Sequence, residues 1–448
     1  MRKPSLNFPP DATLAEQATD TDARPLKRGR IRRRFRGWRS SRLKFFNHPG
    51  LTLLEGGHSY FPALIARIDE ARDSVRLETY MFCDDESAQA VAEALQRAAA
   101  RGVDVRVITD GVGTARLSLF EQWPEQNIQH RIFNPHIFGA AGIARDHRKV
   151  CAIDQRVAYC GGINIIDDLI NEGRRMEAPR WDFAVEMLGP VVKDVILAFD
   201  AQWERVGLAD QGKARWPSRW LPWRPDRKRI REALRQDLIL QPPRRGEPGL
   251  ANAAPGGEPQ VAFVARDNRL NRRAIERAYL YAIGRSTHHI LLANPYFTPG
   301  RRLRRALTAA AKRGVDVQLL IGRKEFKLLD WAVPSLYGNL MKSGVRIAEY
   351  DKALLHGKVA VIDDEWATVG SSNLDALSLF LNHEANVVIV RDPCIADLRD
   401  SINHAFTSSH QIDQGHYAAR GWPERLLNWS AYALYRLTMR VLTIGRFD

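Results

Sequence analysis

Apolar residues recur along this chain in two rhythms, and the order of the rhythms is itself repeated. Positions Phe61 to Ala71 carry helical spacing, Val75-Arg76-Leu77-Glu78-Thr79-Tyr80-Met81-Phe82 reads as a strand, and Glu86 to Ala100 reads as a helix. Arg101-Gly102 closes that helix, and Val103 to Thr109 resumes a strand. This β-α-β unit predicts a parallel pair with a right-handed crossover. Short strands follow at Val150 to Asp154 and Val157 to Cys160, then a longer one at Trp181 to Met187 and a helix from Pro190 to about Arg205.

The same order then returns. Arg272 to Gly284 is helical, and Ile290-Leu291-Leu292-Ala293-Asn294-Pro295-Tyr296-Phe297 parallels the strand that ends near Tyr80. Arg301 to Arg313 is a helix closed by Arg313-Gly314-Val315-Asp316-Val317, an echo of Arg101-Gly102-Val103-Asp104-Val105. Another strand runs from Ala385 to Val390. A repeat of this size is a duplicated domain and not a solenoid period. The expected fold class is α/β: two homologous halves, each a mixed, mostly parallel sheet flanked by helices, related by a pseudo-twofold axis. The halves are assigned to residues 47–212 and 259–412, joined by a linker at 213–258.

Three segments stand outside this pattern. Residues 1–46 read as a disordered tail, and the stretch to Gly50 holds thirteen basic and four acidic residues, a net of +9. Its arginines interleave with Phe35 and Trp38, chemistry that suits an anionic membrane interface and equally a nucleic acid. The linker contains Arg215-Trp216-Pro217-Ser218-Arg219-Trp220-Leu221-Pro222-Trp223-Arg224, fit either for the bilayer interface or for packing on the protein. Residues 413–448 form a C-terminal segment with helical spacing from Pro423 to Leu442. It mixes leucines with Arg425, Arg436, Arg440 and aromatic rings, so an in-plane membrane helix is favoured over one docked on the core.

Composition narrows the partners. The 448 residues carry a net charge of +15, which favours anionic ligands. No run of eighteen apolar residues occurs, so no transmembrane helix is expected and any membrane association is peripheral. The four cysteines (Cys83, Cys151, Cys160 and Cys394) have no paired or metal-binding spacing, which points to a reducing compartment.

The chemistry lies in a motif that occurs twice. His147-Arg148-Lys149 leads to Asp154 and Asn164; His356-Gly357-Lys358 leads to Asp363 and Asn373. In both copies Lys follows His by two places, Asp by seven and Asn by seventeen (164 − 147 and 373 − 356). In a strand, i and i+2 share a face, so each His is expected to project with its Lys. Facing halves would then gather two imidazoles, two ammonium groups and two amides. Such a pocket suits a phosphodiester: the cations offset the charge of a five-coordinate transition state, one imidazole attacks phosphorus, and the other protonates the leaving oxygen. Asp182 and Glu384 are the candidates for orienting the imidazoles. Asp154 and Asp363 belong to the repeated catalytic set, although their place at a strand end before a turn suggests turn-forming work. Lysines in the pocket argue against a metal, and no cofactor is expected.

This pattern resembles the duplicated signature of the phospholipase D superfamily over about Leu51 to Arg391. Leu355 to Asp363, Val369 to Asp375, Leu381 to Asn386 and Gly161-Gly162-Ile163-Asn164-Ile165 are similar to bacterial cardiolipin synthases of the type without N-terminal transmembrane helices. The resemblance implies metal-free transfer of a phosphatidyl group from one phosphatidylglycerol to another, with release of glycerol. His147 would form the covalent intermediate, and His356 would act as acid and then base. Lys149, Lys358, Asn164 and Asn373 would hold the phosphoryl oxygens. Gly162 departs from the serine common in the family and found at Ser371, which predicts an asymmetric site. The implied location is peripheral, on the cytoplasmic face of the bacterial membrane, with no nucleic-acid partner. The alternative is a phospholipase D or a phosphodiesterase or nuclease that hands the same intermediate to water.

Overall fold

The computed structural model describes residues 43–135, 143–171, 173–210, 257–267, 271–323 and 327–442. The tail to residue 42 and linker residues 213–256 lie outside the described residues. The two halves form one compact unit.

Each half is built on the same seven-strand sheet. In the first, the strands lie in the order Leu51–Glu55, Phe183–Leu188, Val157–Gly161, Val150–Ile153, Ser74–Thr79, Asp104–Asp110 and Ile128–Phe133. In the second, the equivalent order is Gln260–Arg266, Glu384–Val390, Trp366–Gly370, Val359–Ile362, His289–Asn294, Asp316–Gly322 and Arg346–Tyr350. Two short edge strands, Phe46–Asn47 and His410–Gln411, extend the second sheet to nine.

The sheets are mixed, but the expectation that they are mostly parallel is corrected. The β-α-β units do pair in parallel, Ser74–Thr79 with Asp104–Asp110 and His289–Asn294 with Asp316–Gly322. Of the six pairings in the first sheet, however, four are antiparallel and two parallel. The cause is the connection. After the motif the chain returns through one tight hairpin, between Ile153 and Val157, which can join only antiparallel strands, and the other three antiparallel pairs bring together strands distant in sequence. The tail boundary is corrected too: Phe46 pairs with Val261, so the chain first joins the sheet of the second half.

Both faces of the central strands are covered, which explains their unbroken apolar sequence. Val150 and Ala152 point into a core shared with the second half, where they meet the cluster that holds Val359 and Val361. Cys151 and Ile153 point the other way, into the helices of the first half. Ala360 and Ile362 do the same in the second. Face-to-face packing of the two sheets therefore rests on small and β-branched side chains, each Val contributing about 1.5–3 kcal/mol when buried.

Helix ends show the duplication most plainly. Helix Glu86–Ala100 starts on Asp85, whose carboxylate accepts from the Ala88 N–H at 3.0 Å. It closes at Gly102, whose φ of 88° needs a residue without Cβ. Helix Arg301–Lys312 closes the same way at Gly314, φ 93°. Arg101 and Arg313 each reach back from these turns to the end of the preceding helix, donating to the Ile68 and Ile283 carbonyls at 2.9 and 3.0 Å.

The C-terminal helix, Trp422–Leu442, does dock on the core. Ala431, Tyr435 and Met439 are buried against Ala332 and Ala376, and the Tyr435 and Thr298 hydroxyls meet at 2.7 Å. The docked alternative thus describes its inner face. All four cysteines are free thiols, with Cys151 and Cys160 buried in adjacent strands.

Candidate active site

His147 and His356 sit three residues before the motif strands, not in them. Strands Val150–Ile153 and Val359–Ile362 begin just after each Lys, so both His-x-Lys segments are the extended lead-in to a strand rather than part of it. Each lead-in pairs instead with a segment of the opposite half. The His147 N–H donates to the His383 carbonyl at 2.9 Å, and the His356 N–H donates to the Trp181 carbonyl at the same distance. The residues that follow these two partners in sequence are Glu384 and Asp182.

This register crosses the carboxylates between the halves. His147 Nδ1 lies 3.1 Å from Glu384 Oε2, and His356 Nδ1 lies 2.5 Å from Asp182 Oδ2. His147 Nδ1 is also 3.1 Å from the Ser371 carbonyl oxygen. A carbonyl and a carboxylate can only accept, so Nδ1 carries the proton and Nε2 keeps its lone pair. That is the tautomer a nucleophile needs.

The lysines are buried beside the histidines. Lys149 Nζ donates to the His147 carbonyl at 2.8 Å, and Lys358 Nζ donates to the His356 carbonyl. Burial, reinforced by the charge of Lys358, lowers the Lys149 ammonium to about 7, against the pull of Glu384. Burial and the neighbouring lysines hold both imidazoles below their ordinary range, His356 furthest. The two carboxyls diverge. Burial raises Asp182 to about 6, with Lys358 opposing. Burial also pushes Glu384 upward, but His147, Lys149 and the Ser371 hydrogen bond outweigh it and bring it below the usual range.

Gly162 and Ser371 account for part of that divergence. Ser371 Oγ donates to Glu384 Oε2 at 2.5 Å while accepting from the Ala385 N–H at 3.0 Å. At Gly162 a Cβ would lie 2.2 Å from Asp182 Oδ1, so the shorter acid occupies the volume a serine would need. The asymmetry expected from Gly162 is therefore steric as well as chemical.

Asn164 and Asn373 follow the hairpins and are both buried. Asn164 Oδ1 accepts from the Met81 N–H at 3.1 Å, which leaves its Nδ2 as the donor. Asn373 Oδ1 has no hydrogen-bond partner among the described residues. Asp154 and Asp363 are the correction. They lie at the far end of the motif strands, where Asp154 accepts from the N–H groups of Arg72, Asp73 and Ser74 at 2.8–2.9 Å. Asp363 does the same for His288 and His289 at 2.8 and 2.9 Å. Both sit at positive φ, 51° and 52°, in the hairpin turn. They clasp the start of the neighbouring strand and touch no part of the pocket chemistry.

Two contributors escaped the sequence reading. Tyr80 places its ring 4.9 Å from that of His147 and 5.0 Å from Lys149 Nζ. The repeat gave no signal for it, because the equivalent position in the second half is Pro295. Asp110 Oδ2 accepts from the Asp146 N–H at 2.8 Å and so fixes the residue before His147. No group of His, Cys, Asp and Glu suited to a metal occurs among the described residues.

Comparison with known proteins agrees with this geometry. The model of the cardiolipin synthase, phospholipase D-like domain matches residues 64–173 and again residues 279–406, one match per half. Cardiolipin synthase B of Escherichia coli K12 is 37% identical over 380 residues, 83% of this chain and 84% of that one. A cardiolipin synthase of Listeria innocua is 29% identical over 371 residues, covering 81% of this chain and 70% of the relative. Among solved structures, a phosphatidylserine synthase of Haemophilus influenzae Rd KW20 superposes with a TM-score of 0.61 at 16% identity, over 90% of this chain and 97% of the other. The last likeness concerns the fold alone; the matched halves and the sequence relatives show that the chain belongs to the cardiolipin synthase family, phosphatidyltransferases with phospholipase D-like domains.

Proposed function

We propose that this phosphatidyltransferase makes cardiolipin from two molecules of phosphatidylglycerol through a covalent phosphohistidine. The observation that carries the assignment of roles is the pair of crossed histidine–carboxylate contacts, one of which carries an extra carbonyl acceptor. His147 Nε2 attacks phosphorus of the first phosphatidylglycerol. The bond from phosphorus to the glycerol headgroup oxygen breaks, and His356 supplies the proton that lets glycerol leave. His356, now neutral, takes the proton from a headgroup hydroxyl of a second phosphatidylglycerol. That oxygen attacks the phosphohistidine, the P–N bond breaks, and His147 is restored.

Lys149 and Lys358, with the amides of Asn164 and Asn373, hold the non-bridging oxygens as charge builds on them. Asp182 stabilises the imidazolium form of His356 and Glu384 fixes the tautomer of His147. Asp154 and Asp363 serve the hairpins. The protein acts peripherally, from the cytoplasmic face of the bacterial membrane; no helix among the described residues is long and apolar enough to cross it. The test is product analysis: purified protein and phosphatidylglycerol vesicles should yield cardiolipin and glycerol in equal amounts. Phosphatidic acid in place of cardiolipin would make water the acceptor and overturn the synthase reading.

A further inference from the structure

Helix Trp422–Leu442 is apolar on the wrong side for a helix that only docks. Its buried positions are Asn428, Ala431, Tyr435 and Met439, spaced by three and four residues. At 3.6 residues per turn the opposite face falls on Trp422, Leu426, Trp429, Ala433 and Leu437, with Leu427 and Leu434 alongside. An ordinary surface helix is polar there. Here Trp422 is 75% exposed, Trp429 65% and Leu437 62%. Of the ten large apolar side chains exposed among the described residues, six are on this helix. Two more, Leu328 and Trp331, are on the short helix Lys327–Ala332, whose Ala332 joins the same buried cluster. Solvent exposure of so concentrated a patch is the mark of an interaction surface.

Charge and chemistry select the partner. Between residues 420 and 442 there are four arginines (Arg420, Arg425, Arg436 and Arg440) against one acid, Glu424. Under the helix runs a groove of about 290 Å³, lined by Arg304, Ser335, Asn339, Trp429, Tyr432 and Arg436 among others. Arg304 Nε is buried there with no hydrogen-bond partner among the described residues. Indole rings and leucines beside guanidinium groups match an anionic bilayer, in which rings sit at headgroup depth and arginines meet phosphates.

The position fits as well. Tyr435 is bonded to Thr298, whose N–H donates to the Leu374 carbonyl at 3.0 Å, immediately after Asn373. Strand Val359–Ile362 runs antiparallel to His289–Asn294, so Lys358 enters beside the carboxyl end of that strand, the end that leads to Thr298. The helix is thus braced on the catalytic end of the sheet, and in the first half exposed Val112 follows Asp110 at the matching end.

We propose that helix Trp422–Leu442 lies in the plane of an anionic bilayer, its Trp422/Leu426/Trp429/Leu437 face among the acyl chains and the Arg304–Arg436 groove on a lipid phosphate. This deepens the membrane-lipid reading above by naming the surface that meets the membrane. The test uses the full chain in two variants, and soluble phosphodiester hydrolysis serves as the control for folding. Leu426→Ser/Trp429→Ser/Leu437→Ser should weaken binding to vesicles of mixed phosphatidylglycerol and phosphatidylcholine by about tenfold or more in flotation, with the control unchanged. Arg304→Gln/Arg436→Gln should narrow the preference for those vesicles over pure phosphatidylcholine. Wild-type affinity in the triple variant overturns the proposal. So does a triple variant that turns a dimer into a monomer yet still floats, because the face would then join two copies. Neither readout requires cardiolipin to form, so the docking surface stands or falls apart from the transfer reaction.

Discussion

At the scale of single residues, near-identical motifs are given unlike surroundings. His147 meets a carboxylate and a carbonyl and His356 a carboxylate alone, while the Ser371 hydroxyl bonds Glu384 where Gly162 offers Asp182 none. The motif residues themselves were legible because their spacing repeats. The pairing of His147 with Glu384 and of His356 with Asp182 was not, since it joins positions 237 and 174 residues apart and depends on how two halves meet. The shifted groups predict a pH profile. Asp182, raised to about 6, takes up a proton as pH falls through that value, and His356 then loses the charge that stabilises its imidazolium. Lys149, lowered to about 7, loses its proton as pH rises through that value, and the phosphoryl oxygens lose a cation. For a soluble phosphodiester, kcat/KM should therefore fall as pH rises through about 7, and more steeply because His356, the proposed acid, is held below the ordinary imidazole range. It should also fall at acid pH as Asp182 is protonated. A kcat/KM that stays level from pH 7 to 9 would rule out the Lys149 ammonium as an essential group.

At the scale of elements, helix Glu86–Ala100, its Gly102 stop and the strands on either side were readable because local signals and burial agree there. The balance of strand directions was misjudged for a physical reason: periodicity marks a strand but not its neighbour, and most antiparallel neighbours here are strands distant in sequence. Asp154 shows how an element can claim a residue that looks catalytic. Its carboxylate holds three consecutive N–H groups at the start of the adjacent strand, and Asp363 repeats the arrangement. Asp154→Ala should lower unfolding stability by about 1–3 kcal/mol, read from the urea midpoint, by stranding those donors at the strand entrance. The folded protein should keep most of its kcat. Should kcat collapse by orders of magnitude at unchanged stability, the aspartate would have to act on the substrate.

At the scale of the whole molecule, neither half holds a complete site. The shared core makes each sheet one wall of the other, and the lead-in to each motif is hydrogen-bonded to the segment that carries the opposite carboxylate. Mutational phenotypes should cross the same boundary. Asp182, in the first half, contacts His356 of the second, the proposed acid and base; Glu384, in the second, contacts His147 of the first, the proposed nucleophile. Asp182→Asn should therefore behave as a milder His356→Ala: the phosphatidyl group still reaches His147, but it leaves slowly, and labelled protein accumulates from radioactive phosphatidylglycerol. Glu384→Gln should behave as a milder His147→Ala, with little labelling at any time, because the nucleophile has lost the contact that fixes its tautomer. Loss of one such orienting group costs about 10²–10⁴ in rate, well within the range of quench-and-count labelling. If Asp182→Asn abolished labelling while Glu384→Gln trapped it, the two histidines would exchange roles. Equal labelling in both variants would instead mean that the crossed contacts hold the halves together without distinguishing the steps.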